Sequence, residues 1–337
     1  MDTPLSAAPR AGTTGLVTYH DVEKPPSPPP GPGVTTPGVK IPIERLEPEA
    51  VFVTGGCPDW LASVEAGGSV WVSDNPNGRV SRLDAKTNAV AATIAVGRNP
   101  SSGLAAGFGS VWVPNCGDDT LSRIDLETDE VTATFPTTTS GWEASIATGA
   151  GSVWLMTDAD GTLSRFDPAT NGVMARIQLP TGCYGLTFGE GTLWVTSTEH
   201  GTVARVDPAT NLVAATIPAG PSPRFIAAGE GAVWVLDEGD SRVSRIDPET
   251  NSVVATIEVG AAGYNGIAVG EGSVWVSAFD YPLSRIDPST DQVVQQFDGS
   301  TGGCAIHVGL GSVWMSNERE GTVWRLDPRR VVATLPA

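Results

Sequence analysis

Two histidines are the side chains of this sequence best suited to acid–base chemistry. His200 follows Glu199 in a polar loop, and His307 stands in an apolar stretch. Imidazole titrates near neutrality, so either histidine is a candidate general base, with Glu199 as a neighbouring carboxylate. A single histidine on an apolar strand is more often structural, and this alternative applies to His307. We therefore predict Glu199, His200 and His307 as candidate catalytic residues.

A second group of residues has aromatic and polar side chains suited to binding a ligand. Large aromatic side chains at loop tips have no solubility rationale, whereas they suit a small-molecule site with a few directional polar groups. The acidic loops around them are also compatible with solubility alone. The predicted ligand-binding residues are Asp59, Trp60, Trp142, Glu143, Tyr184, Arg224, Tyr264 and Asn265.

A repeat of about 40 residues organises the elements that must position these side chains. Tryptophans in Val-Trp-Val-like strands recur at intervals of 41, 42, 40, 40, 41 and 39 residues. They are Trp71, Trp112, Trp154, Trp194, Trp234, Trp275 and Trp314. An Arg-x-Asp strand follows each tryptophan, beginning at Arg82, Arg123, Arg165, Arg205, Arg245, Arg285 and Arg325. Because every repeat has these residues, we assign them to the scaffold and look for function where the repeats differ.

Each repeat is predicted to form four short strands. An apolar run and a Gly-x-Gly turn precede the tryptophan strand; a polar loop, the Arg-x-Asp strand, a turn and a β-branched strand follow. Seven such antiparallel units predict an all-β fold, a seven-bladed β-propeller closed around a central channel. The loops before the first strand and those between the second and third strands then lie on one face.

The chain divides into a tail and the propeller. Residues 1–49 are predicted to be a flexible Pro-rich tail, since 11 of the 27 prolines lie in the first 50 residues and proline favours extended linkers. Residues 50–337 are predicted to form the propeller. Ring closure has two candidates, because residues 50–54 and residues 331–335 both match the fourth strand of a blade.

The composition excludes several classes of function. The 38 acidic residues against 20 lysines and arginines give a net charge of −18, which argues against a nucleic-acid partner. No apolar run approaches the roughly 20 residues of a membrane helix, so we expect no membrane span. We expect a monomer without a certain cofactor. Mg²⁺ or Ca²⁺ is the divalent cation that loop carboxylates such as Asp158 and Asp160 would hold.

The cysteines allow three interpretations. Cys57 and Cys304 fall in blades 1 and 7, where a disulfide would join the two ends of the ring and suit an extracytoplasmic protein. Free structural thiols are the second interpretation. A soft-metal site built from inward-facing thiols and His307 is the third.

The Val-Trp-Val and Arg-Ile-Asp-Pro-x-Thr-Asn patterns resemble the YVTN-type seven-bladed propellers of bacterial envelopes and the broader streptogramin (virginiamycin B) lyase-like group. The resemblance covers residues 50–337. For a lyase it implies that histidines and glutamates, with Mg²⁺ at the channel mouth, open a cyclic depsipeptide ester by elimination. Glu199 and His200 are the matching Glu-His pair, whereas Asp160 and Asp240 stand in the adjoining repeats where a further histidine is implied.

Two functions from different classes follow. We predict an extracytoplasmic bacterial protein (periplasmic, secreted or envelope-attached), although Met1-Asp2-Thr3 does not begin a signal peptide. Its predicted function is to bind a small molecule or a protein partner on the loop face around the channel. The alternative is a metal-assisted lyase or hydrolase acting on a small cyclic ester or a related substrate, with His200 or His307 as the base. The sequence leaves open whether the protein is an enzyme.

Overall fold

The computed structural model describes residues 40–100, 103–139, 144–260, 263–278, 281–299 and 303–334, without the side chains of Tyr264, Asn265 and Cys304. The first described residues form two short strands with a 3-10 turn between them: β1 (Ile41–Pro42), the turn Ile43–Arg45 and β2 (Ala50–Val53). The rest of the predicted tail, residues 1–39, lies outside the described residues.

Seven four-stranded units follow in the order of the sequence repeats. Blade 1 contains β3 (Pro58–Val64), β4 (Ser69–Asp74), β5 (Arg79–Asp84) and β6 (Ala89–Ala95). Blade 2 contains β7 (Ala105–Gly107), β8 (Ser110–Asn115), β9 (Thr120–Asp125) and β10 (Val131–Pro136). Blade 3 contains β11 (Ile146–Gly149), β12 (Ser152–Met156), β13 (Thr162–Phe166) and β14 (Val173–Gln178). Blade 4 contains β15 (Cys183–Gly189), β16 (Thr192–Ser197), β17 (Thr202–Asp207) and β18 (Leu212–Pro218).

The last three blades complete the ring. Blade 5 contains β19 (Pro223–Gly229), β20 (Ala232–Asp237), β21 (Arg242–Asp247) and β22 (Ser252–Glu258). Blade 6 contains β23 (Tyr264–Gly270), β24 (Ser273–Ala278), β25 (Leu283–Asp287) and β26 (Gln292–Asp298), with β1 added in parallel at its outer edge. Blade 7 contains β27 (Gly303–Gly309), β28 (Ser312–Asn317) and β29 (Thr322–Leu326), and the helix α1 (Pro328–Ala333) follows. The predicted all-β, seven-bladed propeller is confirmed.

The repeated residues hold neighbouring blades together, as blade 4 illustrates. Trp194 is fully buried, and its indole N–H donates to the Gly189 carbonyl oxygen at 3.1 Å. Arg205 lies over the Trp194 ring, 5.3 Å from the ring centroid, and donates to the Pro248 carbonyl and to Asn251 Oδ1 of blade 5, both at 2.8 Å. The repeated Trp and Arg side chains therefore form a buried stack and an inter-blade clasp, which supports their assignment to the scaffold.

Glycine ends the inner strand of several blades because the next blade lies against it. A Cβ atom at Gly189 would stand 2.3 Å from the Ala228 Cβ of blade 5. Blade 1 is an exception, since Val64 occupies this position and packs in the same core as Ala106 of blade 2. The indole N–H of Trp71 in this blade is buried without a hydrogen-bond partner among the described residues.

The N-terminal strand β2 closes the ring. It pairs antiparallel with β29, from Ala50 opposite Arg325 to Val53 opposite Thr322. Blade 7 is then clasped to blade 1, because Arg325 donates to the Ala85 carbonyl at 2.6 Å and to Asn88 Oδ1 at 3.2 Å. Of the two candidates for the closing strand, the structure selects the segment that precedes blade 1.

The other candidate for the closing strand, residues 331–335, does not form a strand in its described part, because residues 331–333 end the helix α1. In the other blades an Asn or Asp adopts a positive φ before the fourth strand, as Asn211 does at +59°. Val331 stands at this position after Asp327-Pro328, and a β-branched residue disfavours that conformation. The edge of β29 is also already paired with β2. Asp327 instead caps the helix by accepting from the Arg329 amide at 2.9 Å.

The segment before β2 packs on blades 6 and 7. Ile41, Ile43 and Leu46 are 2%, 3% and 6% exposed and belong to one core with Trp275 and Val331. No helix among the described residues has the length and hydropathy needed to cross a membrane.

Candidate functional site

The first residues of the inner strands carry the side chains that differ between blades. Trp60 lies in β3, Tyr184 in β15, and Arg224 and Phe225 in β19. Each of these strands shows a register irregularity at this point, for example between Pro223 and Phe225. Such bulges re-aim side chains. The variable residues therefore lie at the channel mouth on the face predicted from strand connectivity.

Trp60 and Phe225 meet across the channel. Their ring centroids are 5.7 Å apart, although they belong to blades 1 and 5, which are not neighbours. The equivalent position in the other blades carries a small residue: Gly103, Ser145, Gly185, Gly266 and Ala305. Two large rings thus occupy a position that is otherwise kept small, and they bridge the channel at its mouth.

Arg224 joins this pair to Tyr184 and Glu238. Its guanidinium lies 4.4 Å from the Tyr184 ring centroid and 5.0 Å from that of Phe225. It donates to the Tyr184 hydroxyl at 2.8 Å and to both Glu238 carboxylate oxygens at 3.1 and 3.2 Å. We call Trp60, Tyr184, Arg224, Phe225 and Glu238 the channel cluster. Its single positive charge is balanced by Glu238.

Tyr184 and Phe225 complete the contacts of the channel cluster. Their rings meet edge to face, with centroids 5.6 Å apart and planes at 90°. Phe225 is 6% exposed, whereas Trp60 and Tyr184 are half-buried. Edge-to-face pairs contribute about 0.5–1.5 kcal/mol beyond burial. The channel cluster therefore presents two partly exposed rings above a buried one.

Asp59 is placed beside the channel cluster by its neighbour Trp60. Its side chain is buried, at 8% exposed, and accepts a hydrogen bond from Asn75 Nδ2 at 2.6 Å. Asn75 belongs to the loop between β4 and β5, which lies on the same face as the channel mouth. The predicted residues Asp59, Trp60, Tyr184 and Arg224 are thus all at or next to one site.

The predicted catalytic residues do not converge on this site. Glu199 and His200 are exposed, where Glu199 accepts from the Thr181 hydroxyl at 2.9 Å and His200 Nδ1 contacts Ser197 Oγ at 3.2 Å. His307 lies two residues before the end of β27, toward the opposite end of the channel. Its Nε2 contacts Ser63 Oγ of blade 1 at 3.0 Å. Burial lowers the pKa of His307 to about 4.

Four predicted ligand-binding residues are not tested by this structure. Trp142 and Glu143 lie outside the described residues, and the side chains of Tyr264 and Asn265 do so as well. The backbone of Tyr264 and Asn265 belongs to β23, at the channel mouth of blade 6.

The cysteines and loop carboxylates are the predicted candidates for a crosslink or a metal site. Cys57 has a free thiol, and the side chain of its proposed disulfide partner Cys304 lies outside the described residues. Burial raises the pKa of the Cys57 thiol, and it raises that of Cys183 to about 12. In the described part of the chain, no group of three or more His, Cys, Asp or Glu side chains is placed to hold a metal ion. Asp158 instead accepts from the Thr162 amide at 2.8 Å.

A buried carboxylate, Asp237, lies next to Glu238 and was not among the predicted site residues. It is fully buried at the end of β20, opposite Pro223, and contacts Ser244 Oγ at 2.6 Å. Its pKa is raised to about 7, chiefly by burial and in smaller part by the nearby charge of Asp240, while Ser244, the Gly220 amide and Arg242 act in the opposite direction.

Phe225 and Glu238 were also missing from the predicted ligand-binding residues. The signal for Phe225 was present in the sequence, because aligning the seven repeats shows a large residue where most have a small one. Glu238 stood in an acidic loop with no feature that distinguished it from its neighbours.

The fold places the protein in the class of seven-bladed propellers that includes streptogramin lyase structures. No protein-family model matches the chain, and no curated protein does. A structure of streptogramin B lyase is similar with a TM-score of 0.71 and 18% identity over 83% of this chain and 96% of that chain. A catalytically inactive virginiamycin B lyase from Staphylococcus aureus with quinupristin has a TM-score of 0.69 and 15% identity over 81% and 96%.

The likeness is not confined to lyases. The β-propeller domain of Cps50 (Swd1) from Myceliophteria thermophila has a TM-score of 0.70 and 12% identity, over 84% of this chain and 99% of that chain. Identities this low show the fold alone. The predicted resemblance to streptogramin lyase-like propellers is therefore confirmed at the level of architecture.

Proposed function

We propose that this protein binds a ligand at the channel mouth through the channel cluster. The observation that carries the proposal is the contact of Trp60 with Phe225 across the channel, at a position where the other blades have Gly, Ala or Ser. A propeller scaffold does not require large rings there. Aromatic residues that keep one face accessible beside a few directional polar groups are typical of small-molecule sites.

The electrostatics of this face favour a neutral or positively charged ligand with an apolar ring. Glu238 balances the charge of Arg224. Exposed carboxylates such as Asp118, Asp119 and Glu199 lie in loops of the same face, and the chain has a net charge of −18. Clustered negative charge raises the local concentration of cations and repels anions. The Trp60 ring offers a surface on which a planar or cationic group stacks.

The metal-assisted lyase or hydrolase has less support. His200 and His307 lie toward opposite ends of the channel, so they do not form one acid–base site. His307 is committed to Ser63 in the contact between blades 7 and 1. Among the described residues, Glu199 and His200 belong to no group of three or more His, Cys, Asp or Glu side chains that could hold a metal ion. The similar lyase structures support the fold of this chain, and the reaction is not carried over from them.

The cellular setting stays a prediction. An extracytoplasmic site and a monomeric state are expected from the sequence, as is the absence of a nucleic-acid partner. A protein partner that inserts an aromatic or cationic side chain into the channel mouth would use the same contacts as a small molecule.

A thermal-shift screen tests the proposal with cationic aromatic, neutral aromatic and anionic aromatic compounds, each with and without EDTA. We expect stabilisation by members of the first two groups, unaffected by EDTA. For a binding compound, Trp60→Ala should weaken affinity about 30-fold, since truncating a central aromatic contact costs about 2 kcal/mol. Leu212→Ala is the matched control, because Leu212 is 65% exposed on the outer strand β18.

Three results of this screen would contradict the proposal. Equal affinity in wild type and Trp60→Ala would contradict binding at the channel cluster. Compounds that bind only with a divalent cation and are then cleaved would favour the lyase. Silence of all three groups would contradict small-molecule binding, and the same variants would then be used against protein partners.

A further inference from the structure

Two blades carry the same acid–arginine pair at the same register but use it differently. Asp74 stands opposite Arg79 in blade 1, and Asp237 stands opposite Arg242 in blade 5. In blade 1, Arg79 Nε contacts Asp74 Oδ2 at 2.6 Å. In blade 5, Arg242 instead contacts Asp240 at 3.3 Å. The internal repeat thus shows two arrangements of one hairpin.

Asp237 stands at a position that a neutral side chain occupies in blade 2. In blade 2 the equivalent residue is Asn115, whose Nδ2 donates to Ser122 Oγ at 2.8 Å and whose Oδ1 accepts from the Gly97 amide at 3.0 Å. Asp237 contacts Ser244, also seven residues along the chain: the Ser244 hydroxyl donates to Asp237 Oδ2 at 2.6 Å. Because a hydroxyl can donate or accept, this contact is available in both protonation states: Ser244 donates to the carboxylate, and a protonated carboxyl can donate to Ser244 as the Asn115 amide donates to Ser122.

The surroundings of Asp237 contain the parts of a two-state device. The loop between β20 and β21 contributes Asp240, and β21 contributes Arg242 and Ser244. The β18–β19 loop contributes the uncharged Gly220, and β19 contributes Pro223. On the other side of Arg242, β22 contributes Glu258, which is 7% exposed and stands opposite Arg242. The adjacent residue Glu238 carries the charge that holds Arg224. Burial places the pKa of Asp237 at about 7, so both protonation states are accessible near neutrality.

We propose that the β20–β21 hairpin of blade 5 is a proton-operated switch beneath the channel cluster. With Asp237 protonated, Arg242 pairs with Asp240 and Glu238 holds Arg224 against the aromatic rings, as the structure shows. With Asp237 ionised, Arg242 moves onto Asp237, as Arg79 pairs with Asp74 in blade 1. The loop of residues 238–241 then shifts, and Glu238 loosens its contact with Arg224.

The switch itself is a property of the unliganded protein, and only its effect on affinity rests on the proposed function. Loosening Arg224 disorders the ring faces of Tyr184 and Phe225 that it covers. A ligand that prefers the ordered channel cluster therefore binds more weakly as the pH rises through neutrality. Coupling between protonation of Asp237 and ligand binding typically changes the affinity about 5-fold or more. By linkage, binding of the ligand must then be accompanied by uptake of a proton.

Two measurements on the unliganded protein test the switch. In crystals grown at pH 5.5 and at pH 8.5, we expect Arg242 to contact Asp240 at the lower pH and Asp237 at the higher pH. In solution, the fluorescence of Trp60 is the difference between the spectra of wild type and Trp60→Phe. This Trp60 fluorescence should change with pH, with a midpoint near pH 7. Arg242 fixed on Asp240 at both pH values, or a flat Trp60 signal from pH 5 to 9, would overturn the proposal.

Variants test whether the change in Trp60 fluorescence near pH 7 is caused by Asp237. Asp237→Asn should abolish the fluorescence change, and Arg242→Gln should do so by removing the cation that moves. Asp74→Asn is the matched control in blade 1 and should keep the transition. His200→Gln should keep it too, which separates Asp237 from the histidine on this face. Loss of the transition in His200→Gln but not in Asp237→Asn would overturn the assignment.

Measuring ligand affinity at two pH values distinguishes failure of the proton-operated switch from failure of the proposed ligand site. For a compound found in the screen, affinity should fall about 5-fold or more between pH 6 and pH 8.5 in wild type and stay constant in Asp237→Asn. A fluorescence transition without any binding compound would refute the ligand site and leave the switch standing. Binding that is independent of pH, in a protein that shows no transition, would refute the switch alone.

Discussion

Replacing Asp237 by asparagine should stabilise the protein at alkaline pH. Asp237 is fully buried, and its pKa is raised from 3.8 to about 7 chiefly by burial. Each pKa unit corresponds to about 1.4 kcal/mol, so keeping this carboxylate ionised in the folded state costs about 4 kcal/mol. Movement of Arg242 onto Asp237 would recover part of this free energy, so the figure is an upper value.

The direction of this pH dependence follows from the number of protons bound by the folded and unfolded states. Between pH 4 and pH 7 the folded protein holds a proton on Asp237 that the unfolded chain releases, so the free energy of unfolding decreases as the pH rises through this range. Asparagine has no such dependence and can reproduce the contact that Asn115 makes with Ser122. We therefore expect Asp237→Asn to raise the free energy of unfolding by about 1.5 kcal/mol at pH 5 and by about 2–4 kcal/mol at pH 9.

Thermal and urea denaturation at pH 5, 7 and 9, followed by circular dichroism, measures this effect. A gain of 2–4 kcal/mol corresponds to an increase in Tm of about 3–6 °C for a chain of this size. The matched control is Asp74→Asn, which leaves Arg79 without its carboxylate and should destabilise at pH 7 and pH 9 alike. If Asp237→Asn lowered Tm equally at pH 5 and pH 9, the carboxylate would be stabilising as an ion and the reasoning would be refuted.

Three further experiments test the Arg205 clasp, the contact of His307 with blade 1, and the contact between Trp60 and Phe225. Arg205→Ala removes the bonds to blade 5 at the Pro248 carbonyl and Asn251 and should cost about 1–3 kcal/mol of unfolding free energy by urea titration; an unchanged midpoint would contradict a stabilising clasp. The pKa of His307 is about 4 in the folded protein, below the ordinary 6.5, so the stability it contributes is lost as the pH falls between these values. His307→Gln should therefore remove an acid-sensitive contribution of up to about 3 kcal/mol to the free energy of unfolding. Equal losses of Tm between pH 7 and pH 4.5 in wild type and His307→Gln would refute this. A double-mutant cycle of Trp60→Ala and Phe225→Ala should give a coupling energy of about 0.5–1.5 kcal/mol, and additive losses would contradict their contact.

The candidate site was predicted in part, for a reason that lies in the repeat. Trp60, Tyr184 and Arg224 begin inner strands, and all inner strands of a propeller start on the same face, so their common location follows from strand order. The contact between Trp60 and Phe225 does not follow from strand order. It depends on the width of the channel and on two other blades that separate blade 5 from blade 1.

The structure separates the two candidate catalytic histidines. His200, which the chemistry of imidazole and the resemblance to lyases indicate, lies in an exposed loop. His307 stands near the far end of an inner strand, and its register opposite Trp314 already placed it away from the channel mouth. The depth of a residue along its strand was therefore as informative as its type.

The sequence by itself determined the architecture. Each repeat carries its own turn residues, strands and buried tryptophan, so most of the contacts that define a blade are local and can be read from one unit of about 40 residues. The tertiary structure decided what depends on competition between distant segments. Residues 50–53 and 331–333 both have β-branched or apolar residues, but one outer edge remains on β29, and β2 takes it while the C-terminal segment folds into α1. The different partners of Arg79 and Arg242 were decided in the same way, because identical acid–arginine pairs meet different neighbours once the ring is closed.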